Sequence, residues 1–304
     1  MSQKLPEKNF RWVADCENFD INTIADDSDT GYILEVDLHY PSSIHDLHSD
    51  LPVASESKAV FFDDLSPYSK SLHEKLNIKG RAQKKLVPTL YDKSNYVVHY
   101  RNLKQYLALG LQIKTIHRVL SFNQSFWLNK YIAMNTEKRK YAQNSFEKDF
   151  FKLMNNSIFG KTMENVRGRR TIELVHTEKR IKKILAKPNF NRVDIFNEHL
   201  VAAHCFKSTI VFDKPVFVGF SILDLSKILM YDFHYGYMKS KYGKNASLCF
   251  TDTDSLLYDI TCDNIYNDMA QNSALFDFSD YPKDHLLFSE ENKKVALFFP
   301  VFLL

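Results

Sequence analysis

Glycine and cysteine are scarce in this chain of 304 residues, and their spacing argues against several kinds of site. The eight glycines form neither a Gly-x-Gly-x-x-Gly loop nor a Walker loop, which disfavours folds that hold phosphate in a glycine cradle. The four cysteines are Cys16, Cys205, Cys249 and Cys262. Because they contain no Cys-x-x-Cys pair, they favour reduced thiols in an intracellular protein over a disulfide framework or a zinc site. His45 and His48 lack partner ligands at metal-site spacing, which favours a loop or surface role for them.

Long apolar runs are also missing. No apolar stretch near residue 1 predicts a signal peptide, and the apolar run 295–304 is far too short to cross a bilayer. We therefore expect an intracellular protein without a membrane partner, whose compartment the sequence leaves open. Hydrophobic residues make up 44% of the chain and charged residues 25%, which is typical of a globular protein. The net charge is only +3, so any basic surface must come from local clustering.

One acidic run stands between two stretches that favour β-structure. Apolar residues alternate on both sides of it, at Leu248 and Phe250 before it and at Leu256, Tyr258 and Ile260 after it. This pattern predicts a hairpin whose tip carries Asp252 and Asp254. Carboxylates two positions apart in an extended turn project to the same side and repel each other, and a divalent cation relieves that repulsion. Mg²⁺ binds one or two carboxylates together with substrate phosphates, but a solvated Asp-rich turn remains the alternative.

The segment 136–159 predicts one long helix that is polar on its outer side and that Gly160 ends. On this helix one stripe carries Lys148, Lys152, Asn156 and Phe159. The two ammonium groups suit phosphate oxygens, and the aromatic ring can pack on a sugar and base. Gly160 leaves room for the close approach of a backbone or base pair. The alternative is an amphipathic helix whose lysines are merely solvated.

Taken together, the two runs resemble motifs B and C of family B DNA polymerases. The matching residues are Lys152-x-x-x-Asn156-Ser157-x-Phe159-Gly160 and, about ninety residues later, Asp252-Thr253-Asp254-Ser255. The resemblance is to the protein-primed branch found in phages, viruses, organelles, linear plasmids and Maverick/Polinton-type mobile elements. It also includes the segments 31–38, 99–103, 150–165 and 223–235, and it extends over nearly all of residues 1–295.

The resemblance implies an α+β fold: a palm with an antiparallel sheet that carries the metal-binding carboxylates, and a helical fingers subdomain that carries the lysine stripe. It divides the chain into a palm portion with an irregular insertion at 1–125, fingers helices with a basic segment at 126–190, palm with the motif C hairpin at 191–295, and a divergent apolar tail at 296–304. The function implied is templated deoxynucleotidyl transfer by a DNA-directed DNA polymerase.

By similarity, Asp252 and Asp254 would be the catalytic carboxylates and would bind Mg²⁺ in a two-metal site. The implied nucleotide-binding residues are Lys148, Lys152, Asn156, Ser157, Phe159 and Gly160. Among them Lys152 would contact the triphosphate, and Asn156 and Phe159 would flank the nascent base pair. The implied partners are a DNA template-primer, a deoxynucleoside triphosphate and, in a protein-primed enzyme, a terminal priming protein. The residues leave open whether priming is by a protein.

The chain also departs from the family pattern. Family B enzymes carry a further metal-binding Asp in motif A, but in the run 37–41 the spacing from Asp37 to the tyrosine is two residues too short. The opening residues 1–3 resemble the segment that follows motif A, so we expect the motif A carboxylate to be absent and Asp37 to lie on the next palm strand. There it is either a stand-in metal ligand or an acid at a strand edge or loop anchor. By the same resemblance we expect this chain to lack the exonuclease domain, the Lys-x-Tyr motif and the thumb.

These departures give two hypotheses, an active polymerase and a non-catalytic remnant that binds nucleic acid or nucleotide. Without a third carboxylate, the charge on the triphosphate and on the leaving pyrophosphate is poorly compensated. We therefore expect the isolated chain to be inactive or nearly so in primer extension with Mg²⁺. Robust template-dependent extension that Asp254→Asn abolishes would contradict this expectation.

Overall fold

The structure is a computed structural model that describes residues 1–16, 18–78, 83–252 and 255–293. In these ranges the chain has the predicted α+β composition, and the strand pairs are antiparallel. The chain forms two compact units: Met1–Lys152 together with Ser221–Leu304, and Leu153–Phe220. None of the described helices is long and apolar enough for a bilayer span. The predicted palm and fingers segments 1–125, 126–190 and 191–295 stay predictions, and 296–304 lies outside the described residues.

The described strands and helices follow one another in a mixed order. The strands are β1 (Leu5–Trp12), β2 (Thr30–His39), β3 (Glu56–Val60), β4 (Gln83–Val87), β5 (Lys93–His99), β6 (Gln112–Ser125), β7 (Arg170–Val175), β8 (Phe190–Asn197), β9 (Leu200–Phe206), β10 (Ala246–Asp252) and β11 (Ser255–Ile260). The α-helices are α1 (His45–His48), α2 (Pro67–Lys75), α3 (Tyr100–Ala108), α4 (Asn129–Lys140), α5 (Ser145–Thr162), α6 (Glu178–Leu185), α7 (Val216–Tyr231), α8 (Ser240–Tyr242) and α9 (Ile265–Gln271). A π-helix, Asp232–Lys239, joins α7 to α8. Short 3₁₀ turns lie at Ile21–Thr23, Ser42–Ile44, Phe62–Asp64, Val166–Gly168, Gly243–Asn245 and Ser273–Leu275.

A four-stranded sheet in the order β1-β6-β2-β5 organises the larger unit. Along β2 the apolar positions alternate, and Leu34, Val36 and Leu38 are fully buried on one face of the sheet. Helix α3 belongs to the same core, where Tyr100 and Tyr106 are fully buried. The burial of this apolar face is what fixes the strand register, since a slip of one residue would expose every one of these side chains.

The predicted single helix over 136–159 is wrong, because the chain forms two helices there. Helix α4 ends at Lys140, and α5 begins at Ser145. Asn144 stops the run: its Oδ1 accepts the backbone N–H of Glu147 at 2.8 Å. The carboxylate of Glu147 in turn accepts the N–H of Gln143 at 3.0 Å. These two hydrogen bonds cap the start of a new helix. The hydrophobic pattern of the sequence does not show this break. Gly160 does not end α5, which continues to Thr162.

The smaller unit is a three-stranded sheet in the order β7-β9-β8 with helix α6 packed on one face. Its core consists of Val175, Ile184, Ala203 and Cys205. Helix α6 is basic outside, and Arg180 at its first turns donates to Glu173 of β7 at 2.5 Å. The α5 residues from Leu153 onward belong to this unit.

We predict that Gly31→Ala destabilises the larger unit by about 1–3 kcal/mol, since overpacking a filled core has a cost of this size. A Cβ atom at Gly31 would lie 2.4 Å from Cε2 of Phe122 and 2.7 Å from Oε1 of Gln124. Gln124 cannot move freely, because its Nε2 donates to Ser28 O at 2.7 Å and to the Tyr100 hydroxyl at 3.0 Å. Urea unfolding checks the result. Gly236→Ala is the matched control, because its Cβ would meet nothing within 4 Å; equal losses in both variants would contradict the packing argument.

Candidate metal and nucleotide site

The predicted hairpin is confirmed: β10 and β11 pair as an antiparallel two-stranded sheet. Asp252 is the last residue of β10 and lies opposite Ser255, whose hydroxyl donates to the Asp252 carbonyl at 3.0 Å. The Asp252 residue is exposed. Asp254, the second predicted carboxylate, lies outside the described residues together with Thr253.

A β-bulge interrupts β10 three residues before Asp252. Leu248 pairs with Tyr258 but Phe250 pairs with Leu257, so Cys249 is an extra residue. The predicted alternation that put Leu248 and Phe250 on one face is therefore wrong. Leu248 is half-buried, like Tyr258, whereas Phe250 is 60% exposed and Leu257 is 48% exposed.

The bulge decides which way Asp252 faces. Successive residues of a strand point to opposite faces. Without an extra residue, Asp252 would therefore share the face of Leu248, which lies four positions earlier. The extra residue reverses this parity, and Asp252 instead shares the exposed face with Phe250. Bulges are common next to active sites because they re-aim a side chain in this way. The hairpin thus presents a carboxylate to solvent at its end.

The opposite face of the hairpin is packed on a second core of the larger unit. Leu256, Tyr258 and Ile260 contact a cluster that includes the buried Phe233 and Met238. The Tyr258 hydroxyl shares a hydrogen bond of 2.8 Å with Nδ1 of His234. The hairpin that carries the exposed acidic end is therefore held on its other face by apolar packing and by a hydrogen bond.

Sequence reasoning missed the residues that hold the base of the hairpin. Asp50 and Lys239 form an ion pair of 2.5 Å, and both contact β10. No motif announces them, because each is an ordinary charged residue and the two lie far apart in sequence. The sequence offered one hint, because Lys239 stands among apolar residues that predict a buried position.

Asp37 lies on β2 and is committed to structural contacts. Its Oδ1 accepts the backbone N–H of Asn95 at 2.7 Å and pairs with Nε2 of His117 at 2.9 Å. These two contacts, the Asn95 N–H first, lower the pKa of the Asp37 carboxyl. Asn95 has a positive φ of 50°, a conformation that such a side-chain contact helps to hold. Because β2 lies between β6 and β5, the strand-edge interpretation is wrong. The loop-anchor interpretation does not describe these contacts either, because Asn95 lies on β5 and His117 on β6, and Asp37 therefore joins two neighbouring strands.

The chemistry of the Asp252 carboxylate suits Mg²⁺, which prefers oxygen ligands and keeps several waters. Among the described residues no three His, Cys, Asp or Glu side chains form a group that could hold a metal ion. Asp37 and Asp252 also lie in different sheets. The described residues therefore offer one carboxylate at the hairpin end, that of Asp252, which would hold Mg²⁺ only together with further ligands such as substrate phosphate and water.

The predicted lysine stripe lies on α5 and is largely open to solvent. Lys148, Lys152 and Asn156 are exposed, at positions i, i+4 and i+8 of one helix. In the part of the chain that the structure describes, neither lysine forms an ion pair, so both ammonium groups are available to an anion. Ser157 and Gly160 are exposed and Phe159 is half-buried, with the Ser157 hydroxyl donating to Met154 O at 3.0 Å.

The predicted loop or surface role of His48 is wrong, and a second histidine, His234, contacts the hairpin through Tyr258. His48 is fully buried, and its Nδ1 lies 2.7 Å from the Tyr40 hydroxyl. His234 is also fully buried. The Nε2 atoms of both rings are buried, and neither has a hydrogen-bond partner among the described residues. Burial, as the largest cause, lowers the pKa of each ring to about 4, because a charge there would be desolvated.

Comparison with known proteins adds one structural likeness. Neither a protein-family model nor a curated protein matches the chain. Among solved structures, the chain is similar to phi29 DNA polymerase in an orthorhombic crystal form, with a TM-score of 0.47 and 13% sequence identity. The match covers 91% of this chain and 38% of that polymerase. The chain therefore spans about two fifths of the length of that enzyme.

We predict that the larger unit loses stability as the pH falls from about 6.5 towards 4. In this window His48 and His234 stay neutral in the folded chain but become protonated in the unfolded chain, so acid favours unfolding. Thermal melting between pH 7.5 and 4.5 measures the effect. His234→Gln should flatten the pH dependence, and His176→Gln, which changes an exposed ring, should not. An unchanged slope in His234→Gln would show that this ring does not titrate as described.

Proposed function

We propose that this chain is the palm-and-fingers part of a DNA-directed DNA polymerase of the family B, protein-primed type. The observation that carries the proposal is the acidic hairpin, in which a bulge turns Asp252 onto the exposed face at the end of β10. The sequence around this hairpin resembles motif C, and the residues of α5 resemble motif B. A negatively charged, phosphate-bearing substrate follows from these two elements, because one offers carboxylates for a metal and the other offers ammonium groups for phosphates.

In this proposal Asp252 and Asp254 bind Mg²⁺ at the end of the hairpin. When bound, paired Mg²⁺ ions supply charge stabilisation for the attacking and leaving oxygens of an in-line displacement. The carboxylates have two tasks of their own: they balance the positive charge of the metal and fix its place relative to the substrate. The rigid packing of Leu256 and Tyr258 beneath the hairpin serves this positioning.

Lys148 and Lys152 would bind the triphosphate of the incoming deoxynucleotide. Their spacing of one helical turn matches neighbouring phosphates, and both are exposed on α5. Asn156, Ser157 and Phe159 lie further along the same helix and would line the pocket for the nascent base pair, with Gly160 leaving space for it. No Cβ contact lies within 4 Å of Gly160, so the space there is open. The partners are a DNA template-primer, a deoxynucleoside triphosphate and, for protein priming, a terminal protein.

A second candidate is a chain that binds nucleotide or nucleic acid without catalysing transfer. The contacts of Asp37 favour it, because Oδ1 of this carboxylate is already engaged by Asn95 and His117. These contacts argue against Asp37 as a third carboxylate of the metal site. Binding and primer extension together separate the candidates: binding without extension supports this second one, and binding with extension supports the polymerase.

We predict that the chain binds dATP in a Mn²⁺-dependent manner in the presence of a primer-template duplex, and that Lys152→Ala weakens this binding by about tenfold or more. Hydrogen bonds to charged groups contribute about 1.5–3 kcal/mol, which corresponds to a loss of this size. Asp252→Asn should weaken the Mn²⁺-dependent part of the binding. Fluorescence titration with a labelled dATP, with unlabelled dATP as competitor, measures both effects.

Matched controls come from the same elements. Lys130→Ala changes an exposed lysine on α4, and Asp259→Asn changes an exposed carboxylate on β11, well away from the hairpin end. Neither control should change the affinity more than about twofold, since surface charges far from a ligand act weakly. Equal losses in the control and test variants would reject the assigned site, and no Mn²⁺-dependent binding at all would reject the proposed function.

A further inference from the structure

The segment that follows α1 reaches the base of the acidic hairpin. Asp50 lies in this segment, and its Oδ2 accepts the Nζ of Lys239 at 2.5 Å. The same Oδ2 accepts the backbone N–H of Leu248 at 3.5 Å. Lys239 also donates to the carbonyl of Ala246 at 3.2 Å. One ion pair therefore contacts β10 at two backbone groups, both just before the bulge at Cys249.

These backbone groups need partners because β10 is an edge strand. In a two-stranded sheet, alternate N–H and C=O groups of each strand point away from the neighbouring strand. Asp50 accepts the N–H of Leu248, and Lys239 donates to the carbonyl of Ala246. They thereby supply the hydrogen-bond partners that a third strand would supply in a larger sheet. The pair is only partly exposed, with 27% of the Asp50 side chain and 16% of the Lys239 side chain accessible. Contacts to charged groups in such a setting are stronger than those on an open surface.

The ion pair is itself anchored to the core of the larger unit. The Tyr235 hydroxyl donates to the carbonyl of Leu51 at 2.6 Å, directly beside Asp50. Val53 and Ala54, a few residues on, are fully buried. Lys239 ends the π-helix, whose Phe233 and Met238 are buried beneath the hairpin. Both members of the pair thus have fixed backbones.

Resting on the function proposed above, we propose that Asp50 and Lys239 are positioning residues that hold β10 in its bulged register and so keep Asp252 on the exposed face of the hairpin. If the pair is lost, Leu248 and Ala246 lose their partners. The hairpin can then adopt the regular register, in which Asp252 turns towards the face that packs on the core. The pair does not touch the metal or the substrate.

The test compares Lys239→Met and Lys239→Arg with the unchanged chain. Met keeps the length and apolar stem of the lysine but cannot bind Asp50, whereas Arg keeps the charge. Hydrogen exchange of peptides from 246–260 reports the register of the hairpin and does not depend on metal. Mn²⁺ affinity, with dATP and primer-template present, reports the position of Asp252. Lys241→Met is the matched control, because Lys241 forms an ion pair of 2.9 Å with Asp268 instead.

We expect Lys239→Met to speed exchange in 246–252 by at least about tenfold and to weaken Mn²⁺ binding by at least about fivefold. Lys239→Arg should restore both, and Lys241→Met should change neither. Unchanged exchange and affinity in Lys239→Met would overturn the proposal, as would losses that Lys239→Arg does not restore. If Lys239→Met fails to fold, Asp50→Asn replaces it with the same expectations.

The two proposals fail in different ways. If the unchanged chain binds no more Mn²⁺ than Asp252→Asn does, the proposed function is wrong and the pair has no metal site to position. If the unchanged chain binds Mn²⁺ but Lys239→Met binds it equally well, only the positioning role is wrong. Faster exchange with unchanged Mn²⁺ affinity would likewise reject positioning, because the register would then not control Asp252.

Discussion

The register of the β10–β11 hairpin is the constraint on which the candidate site depends. One extra residue, Cys249, decides whether Asp252 points to solvent or towards the packed face. The same extra residue leaves Asp252 as the last paired position of β10, opposite Ser255. A carboxylate that is exposed at the end of a hairpin can meet a metal and a substrate without a desolvation penalty before they bind. On its other face the hairpin is held by the packing of Tyr258 and Leu256 against a buried cluster.

In the larger unit the buried histidine rings are neutral, and the charged groups near the hairpin are paired or exposed. The buried rings of His48 and His234 are neutral near pH 7, since burial lowers the pKa of each to about 4. Partial burial also raises the pKa of Asp50, but the hydrogen bond and charge of Lys239 outweigh that effect and the net shift is downwards. At the base of the hairpin the charges of Asp50 and Lys239 are paired, and Asp252 lies on the exposed face.

Sequence reasoning identified the hairpin and the helical segment, but it missed the bulge, the helix cap and the ion pair that set their geometry. The alternation around Asp252 predicted the hairpin, and the resemblance of the two motifs to family B polymerases implied the α+β fold. The bulge at Cys249 was missed because apolar residues stand on both faces around it, so that the alternation continues unbroken in the sequence. The break between α4 and α5 was missed because it depends on the side chain of Asn144, which interrupts no hydrophobic period. Asp50 and Lys239 could not be paired from sequence, since long-range ion pairs leave no periodic pattern.

The central claim is that the acidic hairpin and the lysines of α5 bind the same metal–triphosphate complex. A double-mutant cycle of Asp252→Asn and Lys152→Ala, measured as the affinity for Mn²⁺-dATP with primer-template present, tests it directly. Residues that bind one ligand complex together are coupled, and the account predicts a coupling free energy of about 1 kcal/mol or more. Free-energy changes that add to within about 0.3 kcal/mol would mean that the two groups act independently, and would contradict a shared site.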